Sequence, residues 1–101
     1  MVYFSRRVTA KPGKFQDAIK WGKEVVEYLN NKFGSNIGFY TQIWGDNPVN
    51  TMYFVGNMGT MNEYLDFVEK LNTDEGYIER LSNSTPLFVE GLSFDSLLEK
   101  Q

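Results

Sequence analysis

The chain has 101 residues, 42% of them hydrophobic, with no histidine, no cysteine and a net charge of −3. That length suits one domain, residues 1–101, whose core needs no staples, since disulfides or metals become necessary only below ~40 residues. Transition-metal and haem sites lean on imidazole or thiolate, so only an all-oxygen site remains and no clustered carboxylates suggest one; Ser-His-Asp and Cys-His catalysis are excluded, and an acidic chain with no basic run argues against nucleic acid and anionic membranes.

Val2 to Thr9 alternates, with Val2, Phe4 and Val8 on one side and Tyr3, Ser5 and Thr9 on the other, the pattern of a strand. Lys11-Pro12-Gly13-Lys14 breaks it and opens a helix, with proline near a first-turn position. Phe15, Ala18, Ile19, Gly22, Val25, Val26, Leu29 and Phe33 then form one face of a long helix, ended by Gly34 in the left-handed stop position. Gly22 within that face predicts a close approach of helix to sheet, at a propensity cost of ~1 kcal/mol. Trp21 and Tyr28 flank the stripe and are expected against the second helix. Ile37 to Trp44 reads as a second strand, Gly45-Asp46-Asn47-Pro48 as a turn and Thr51 to Asn57 as a third strand, together a hairpin. Thr60-Met61-Asn62-Glu63 fits a capping box, and Met61, Tyr64, Leu65, Val68 and Leu71 form the buried face of the helix it opens. Phe67 stands off that face and is expected against a neighbouring helix. Asp74 caps a short third helix through Tyr77, Ile78 and Leu81, and Pro86 introduces the last strand, Leu87 to about Leu98.

This order, β-α-β-β-α-β, predicts an α+β domain of the ferredoxin-like kind: a four-stranded antiparallel sheet in the order 4-1-3-2, with the helices on one face. The other face of such a sheet normally becomes polar. Here, with Trp44 paired to Thr51, one hairpin face carries Phe39, Ile43, Met52 and Phe54, and the other Tyr40, Gln42, Trp44, Tyr53 and Val55. The helices cover only one of these, so a second copy, packed sheet to sheet by twofold symmetry, is the expected cover for the other. Aromatic residues at 16% are also dense for so small a core, which predicts rings in a cavity or an interface. No stretch approaches the ~20 apolar residues of a membrane span, and Met1 leads into too short an apolar run for a secretory signal, so a cytoplasmic location is expected.

Arg6, then Lys11-Pro12-Gly13-Lys14 opening an amphipathic helix, then Gly45 and Asn47 in the hairpin turn, resembles the dimeric α/β-barrel superfamily, and within it the NIPSNAP-like group. The resemblance covers most of the chain in its order of elements, although the motifs are short. It implies a homodimer whose sheets close into a barrel, with a small-molecule pocket between sheet and helices in each subunit. Members include cofactor-free monooxygenases, lactone isomerases and haem-degrading enzymes. The chain departs from the haem-binding members, which use a histidine. It also carries Gly56-Asn57 late in the third strand, where NIPSNAP-like sequences hold aromatic pairs.

Two constellations are candidate sites. Arg6 and Arg7 are adjacent in a strand and point to opposite faces, with Arg6 beside Phe4 and Val8. A guanidinium among apolar neighbours needs a partner, either a ligand carboxylate or an internal glutamate such as Glu90. Tyr40, Gln42, Trp44 and Tyr53 form a polar-tipped aromatic set that suits either a ligand pocket or a dimer interface. The sequence therefore points to a homodimer without cofactor or metal, binding an amphipathic or carboxylate-bearing small molecule such as a fatty or aromatic acid. The alternative is a cofactor-free monooxygenase or isomerase, with Trp44 or Tyr40 positioning an activated aromatic substrate and Gln42 steadying an oxyanion. An RNA-recognition domain shares the element order, but the third strand lacks that motif's basic-Gly-aromatic opening.

Overall fold

The alternation at the start of the chain becomes the centre of the sheet. In the computed structural model, which describes Met1–Gln101, β1 (Val2–Thr9) pairs antiparallel on one side with β3 (Thr51–Asn57) and on the other with β4 (Phe94–Glu99). β2 (Ile37–Thr41) lies outside β3, giving the order β2-β3-β1-β4, the expected arrangement read from the opposite edge. The registers Arg6↔Phe54, Arg6↔Asp95 and Phe39↔Phe54 put Phe4, Arg6, Val8, Phe39, Met52, Phe54 and Asp95 on one face. Tyr3, Arg7, Tyr40, Tyr53, Val55, Phe94 and Leu98 share the other.

The first face is covered chiefly by α1 (Phe15–Phe33). Ala18, Val25 and Leu29 of this helix are buried with Val2, Val8, Ile37, Met52 and Phe54 of the sheet. A Cβ on Gly22 would lie 2.5–2.8 Å from the ring carbons of Phe39, so the missing side chain sets how closely helix and sheet approach. The helix ends at Gly34, whose φ of 65° and backbone N–H, donating to the Asn30 carbonyl, make the left-handed stop. Asn30 then fastens the next strand, accepting from the Ile37 amide and donating to its carbonyl.

α2 (Met61–Asn72) opens with the reciprocal Thr60–Glu63 capping box, and α3 (Glu75–Ser84) with Asp74 accepting from the Tyr77 amide. Neither helix contains a buried residue, and Met61 and Leu65, expected in the core, are about half exposed. Trp21 and Tyr28 pack on the third helix rather than the second: the Trp21 indole donates to the Arg80 carbonyl at 2.8 Å, and the Tyr28 hydroxyl donates to Asp74 at 2.6 Å. Phe67 of α2 meets Phe33 of α1 edge to face. No helix is long and apolar enough to cross a membrane.

Two strands differ from the sequence reading. β2 stops at Thr41, and Thr41 opposes Met52, where pairing of Trp44 with Thr51 was expected. Gln42 and Asn47 bond to each other across a loop that needs Asn50 at φ 69°, so the chain leaves the sheet early. The register moves by two residues, which preserves the side-chain faces. The last strand is split: Phe88 bridges Ala10, the chain turns at Gly91 with φ 84°, and pairing with β1 resumes only at Phe94.

Candidate functional site

Because α2 and α3 stand off the sheet, a cavity of about 890 Å³ lies between them, α1 and the inner sheet face. This is within the ~300–1,000 Å³ of small-molecule sites. Seventeen of its twenty-six lining residues are hydrophobic. Each element contributes through its own periodicity: Phe4, Val8 and Phe54 from the sheet, Trp21, Val25 and Leu29 from α1, Tyr64, Phe67, Val68 and Leu71 from α2, and Tyr77 and Leu81 from α3. Phe88, on the segment between α3 and β4, closes one side and sets its ring edge-on to Trp21, with centroids 5.4 Å apart.

Arg6 is on this wall, as its position in β1 requires, with its guanidinium 5.6 Å over the Phe4 ring. Its partner is Asp95, directly opposite on β4, rather than Glu90. Nε donates to Oδ1 at 2.8 Å and Nη2 to Oδ2 at 2.9 Å, a two-pronged pair. Glu90 also lines the cavity but lies in the looped-out stretch before β4. The hydrogen bonds to Asp95 outweigh partial burial and raise the Arg6 pKa further above its ordinary value. The same bonds lower the Asp95 carboxyl below the usual carboxylate range.

The four other candidate residues lie elsewhere. Tyr40 and Tyr53 are on the open sheet face, and the Tyr40 ring lies back over Gly38. Gln42 follows β2 and bonds within the loop, while Trp44 projects from that loop and is 92% exposed. None of the four lines the cavity. Gln42 Oε1 accepts from the Tyr53 hydroxyl at 3.4 Å, and Asn47 ties the two more closely, its amide nitrogen donating to the Tyr53 hydroxyl at 2.6 Å and to Gln42 Oε1 at 3.1 Å. Asn47 Oδ1 accepts from Arg7 at 2.8 Å, and the Arg7 guanidinium lies 4.7 Å over the Phe94 ring. Asn47 thus works as a hub as well as a turn residue. Asp95 had no signal beyond its parity with Arg6, because the split in the last strand hid the register.

A further polar cluster joins α1 to α3. Asp74 accepts from Lys32 and Tyr28, which, with the Tyr77 amide, hold its carboxyl down at about 2; the pairing raises Lys32. No group of three or more metal-ligating side chains converges in the fold.

No protein-family model and no curated protein matches the sequence. Solved structures match closely in shape. A NIPSNAP domain protein from Burkholderia xenovorans superposes with a TM-score of 0.82 at 16% identity, over 100% of this chain and 95% of its own. A NIPSNAP family protein from Agrobacterium tumefaciens gives 0.80 at 16% identity, over 99% and 92%. A Nitrosomonas europaea protein assigned provisionally as an antibiotic biosynthesis monooxygenase gives 0.75 at 11% identity, over 99% and 98%. The fold is the ferredoxin-like α+β architecture of these proteins.

Proposed function

We propose that the chain is a small-molecule-binding protein that takes an amphipathic ligand into the cavity between sheet and helices and works as a homodimer through the open sheet face. The observation that carries this reading is the cavity itself: about 890 Å³, walled mainly by apolar side chains, with the Arg6–Asp95 pair on one side. An apolar ligand body gains ~25 cal/mol per Å² withdrawn from water, and a polar end meets hydrogen-bonding groups at the pair. The dimer is supported by Tyr40, Val55, Phe94 and Leu98, all exposed on the open face.

The test uses N-phenyl-1-naphthylamine, an uncharged apolar fluorophore. We expect saturable binding, one per chain, abolished by Leu71→Trp, which fills the cavity from α2, with the circular dichroism of the variant unchanged. Binding that survives this substitution undamped would locate the probe elsewhere and sink the reading.

A cofactor-free monooxygenase is the second reading, supported by likeness of fold to the Nitrosomonas europaea protein. Against it, Tyr40, Gln42 and Trp44, the residues suited to that chemistry, lie outside the cavity. Oxygen uptake with simple phenols would favour it over binding alone.

A further inference from the structure

We propose that Asp95 selects the headgroup: by holding Arg6 in a charge-neutral pair on the cavity wall, it makes the cavity prefer ligands with uncharged polar ends over carboxylates. This inference rests on the reading that the cavity binds an amphipathic small molecule, and it assigns the class, an apolar body ending in an amide, ketone or alcohol.

Arginine presents five N–H groups in a rigid fork. Asp95 engages the Nε and Nη2 side at 2.8 and 2.9 Å, and the Tyr77 hydroxyl on α3 also acts on the guanidinium, which leaves the remaining N–H of the Nη1 edge for a ligand acceptor. A carboxylate arriving at that edge is attracted by the guanidinium and repelled by Asp95 on the adjoining edge. It would shed hydration for almost no net charge, a poor exchange for an ion. A carbonyl or hydroxyl oxygen loses far less hydration and still accepts from Nη1. The remaining charged groups of the wall, Lys11 and Glu90, are both exposed and of opposite sign, so the lining carries no net formal charge. Asp95 is placed to act on its own: it faces Arg6 across one strand pair, and its side chain is 48% exposed, so its removal should spare the fold.

The experiment measures displacement of N-phenyl-1-naphthylamine by decanamide, decanol and decanoate at neutral pH, with wild type, Asp95→Asn and the double variant Arg6→Gln/Asp95→Asn. In wild type we expect decanamide and decanol to displace the probe at about ten-fold lower concentration than decanoate. In Asp95→Asn decanoate should gain about ten-fold or more while decanamide changes little, and the double variant should lose the gain. Decanoate matching decanamide on wild type, or failing to gain in Asp95→Asn, overturns the headgroup assignment while leaving the cavity reading intact. Failure of the fluorophore to bind wild type at all takes the cavity reading down, and this assignment with it.

Discussion

Arg6 and Asp95 make the ion pair of the cavity wall, and its value to the fold follows from its exposure. Their side chains are 34% and 48% exposed, so water screens the charges and the pair contributes ~1 kcal/mol or less despite its two-pronged geometry. Arg6→Ala should therefore lower stability in urea by no more than ~1 kcal/mol, whereas a buried pair broken by removal of one partner would cost ~3–5 kcal/mol. The sign of the pH effect follows from Asp95. Its pKa is lower in the folded chain than in the unfolded one. What the pair contributes is thus present above the unfolded carboxylate value of ~3.9 and lost as pH falls through the depressed folded value. That Arg6 faces the helices and Arg7 does not was legible from strand alternation. That Asp95, and not Glu90, meets Arg6 was not, because it depends on the residues between Phe88 and Phe94 looping away from β1.

Among the elements, signals carried by short-range geometry were legible. The capping box at Thr60, the cap at Asp74 and the stop at Gly34 each depend on residues three or four positions apart, and each is present. Signals that needed tertiary context were not. The end of β2 depends on Asn47 reaching back to Gln42 and across to Arg7. The apolar residues of α2 looked like core, but most of them face a cavity or solvent. Gly22→Ala gains ~1 kcal/mol of helix propensity but drives a Cβ against Phe39, an overpacking that costs ~1–3 kcal/mol. We expect a net loss of ~1 kcal/mol in urea denaturation, relieved when Phe39→Leu is added. Asp74, held at about 2 by Lys32, Tyr28 and the Tyr77 amide, contributes stability that is present above the ordinary carboxylate range and lost as pH falls toward that value. Asp74→Asn should lower the melting temperature at neutral pH and flatten its decline in acid.

The whole molecule poses the question of what meets its open sheet face. Two central residues of that face, Arg7 and Tyr53, are tied together through Asn47, so the middle is polar and ordered before any partner arrives. Apart from Val55 on β3, the apolar groups lie toward the two edges, Tyr40 on β2 and Phe94 and Leu98 on β4, with 58%, 46% and 61% of their surface exposed. Soluble monomers seldom leave such groups gathered on one sheet face, and a twofold axis offers a simple cover because it presents the same face to itself. We expect the protein to sediment as a dimer at micromolar concentration. Leu98→Glu introduces a charge that the folded monomer tolerates in an exposed edge strand but that a closed interface would have to desolvate. That variant should sediment as a monomer with an unchanged circular dichroism spectrum. Arg7→Ala frees Asn47 from its partner without adding charge and should weaken the dimer less. Wild type that sediments as a monomer at tens of micromolar, with Leu98→Glu indistinguishable from it, would leave the face open to solvent and end the sheet-to-sheet arrangement.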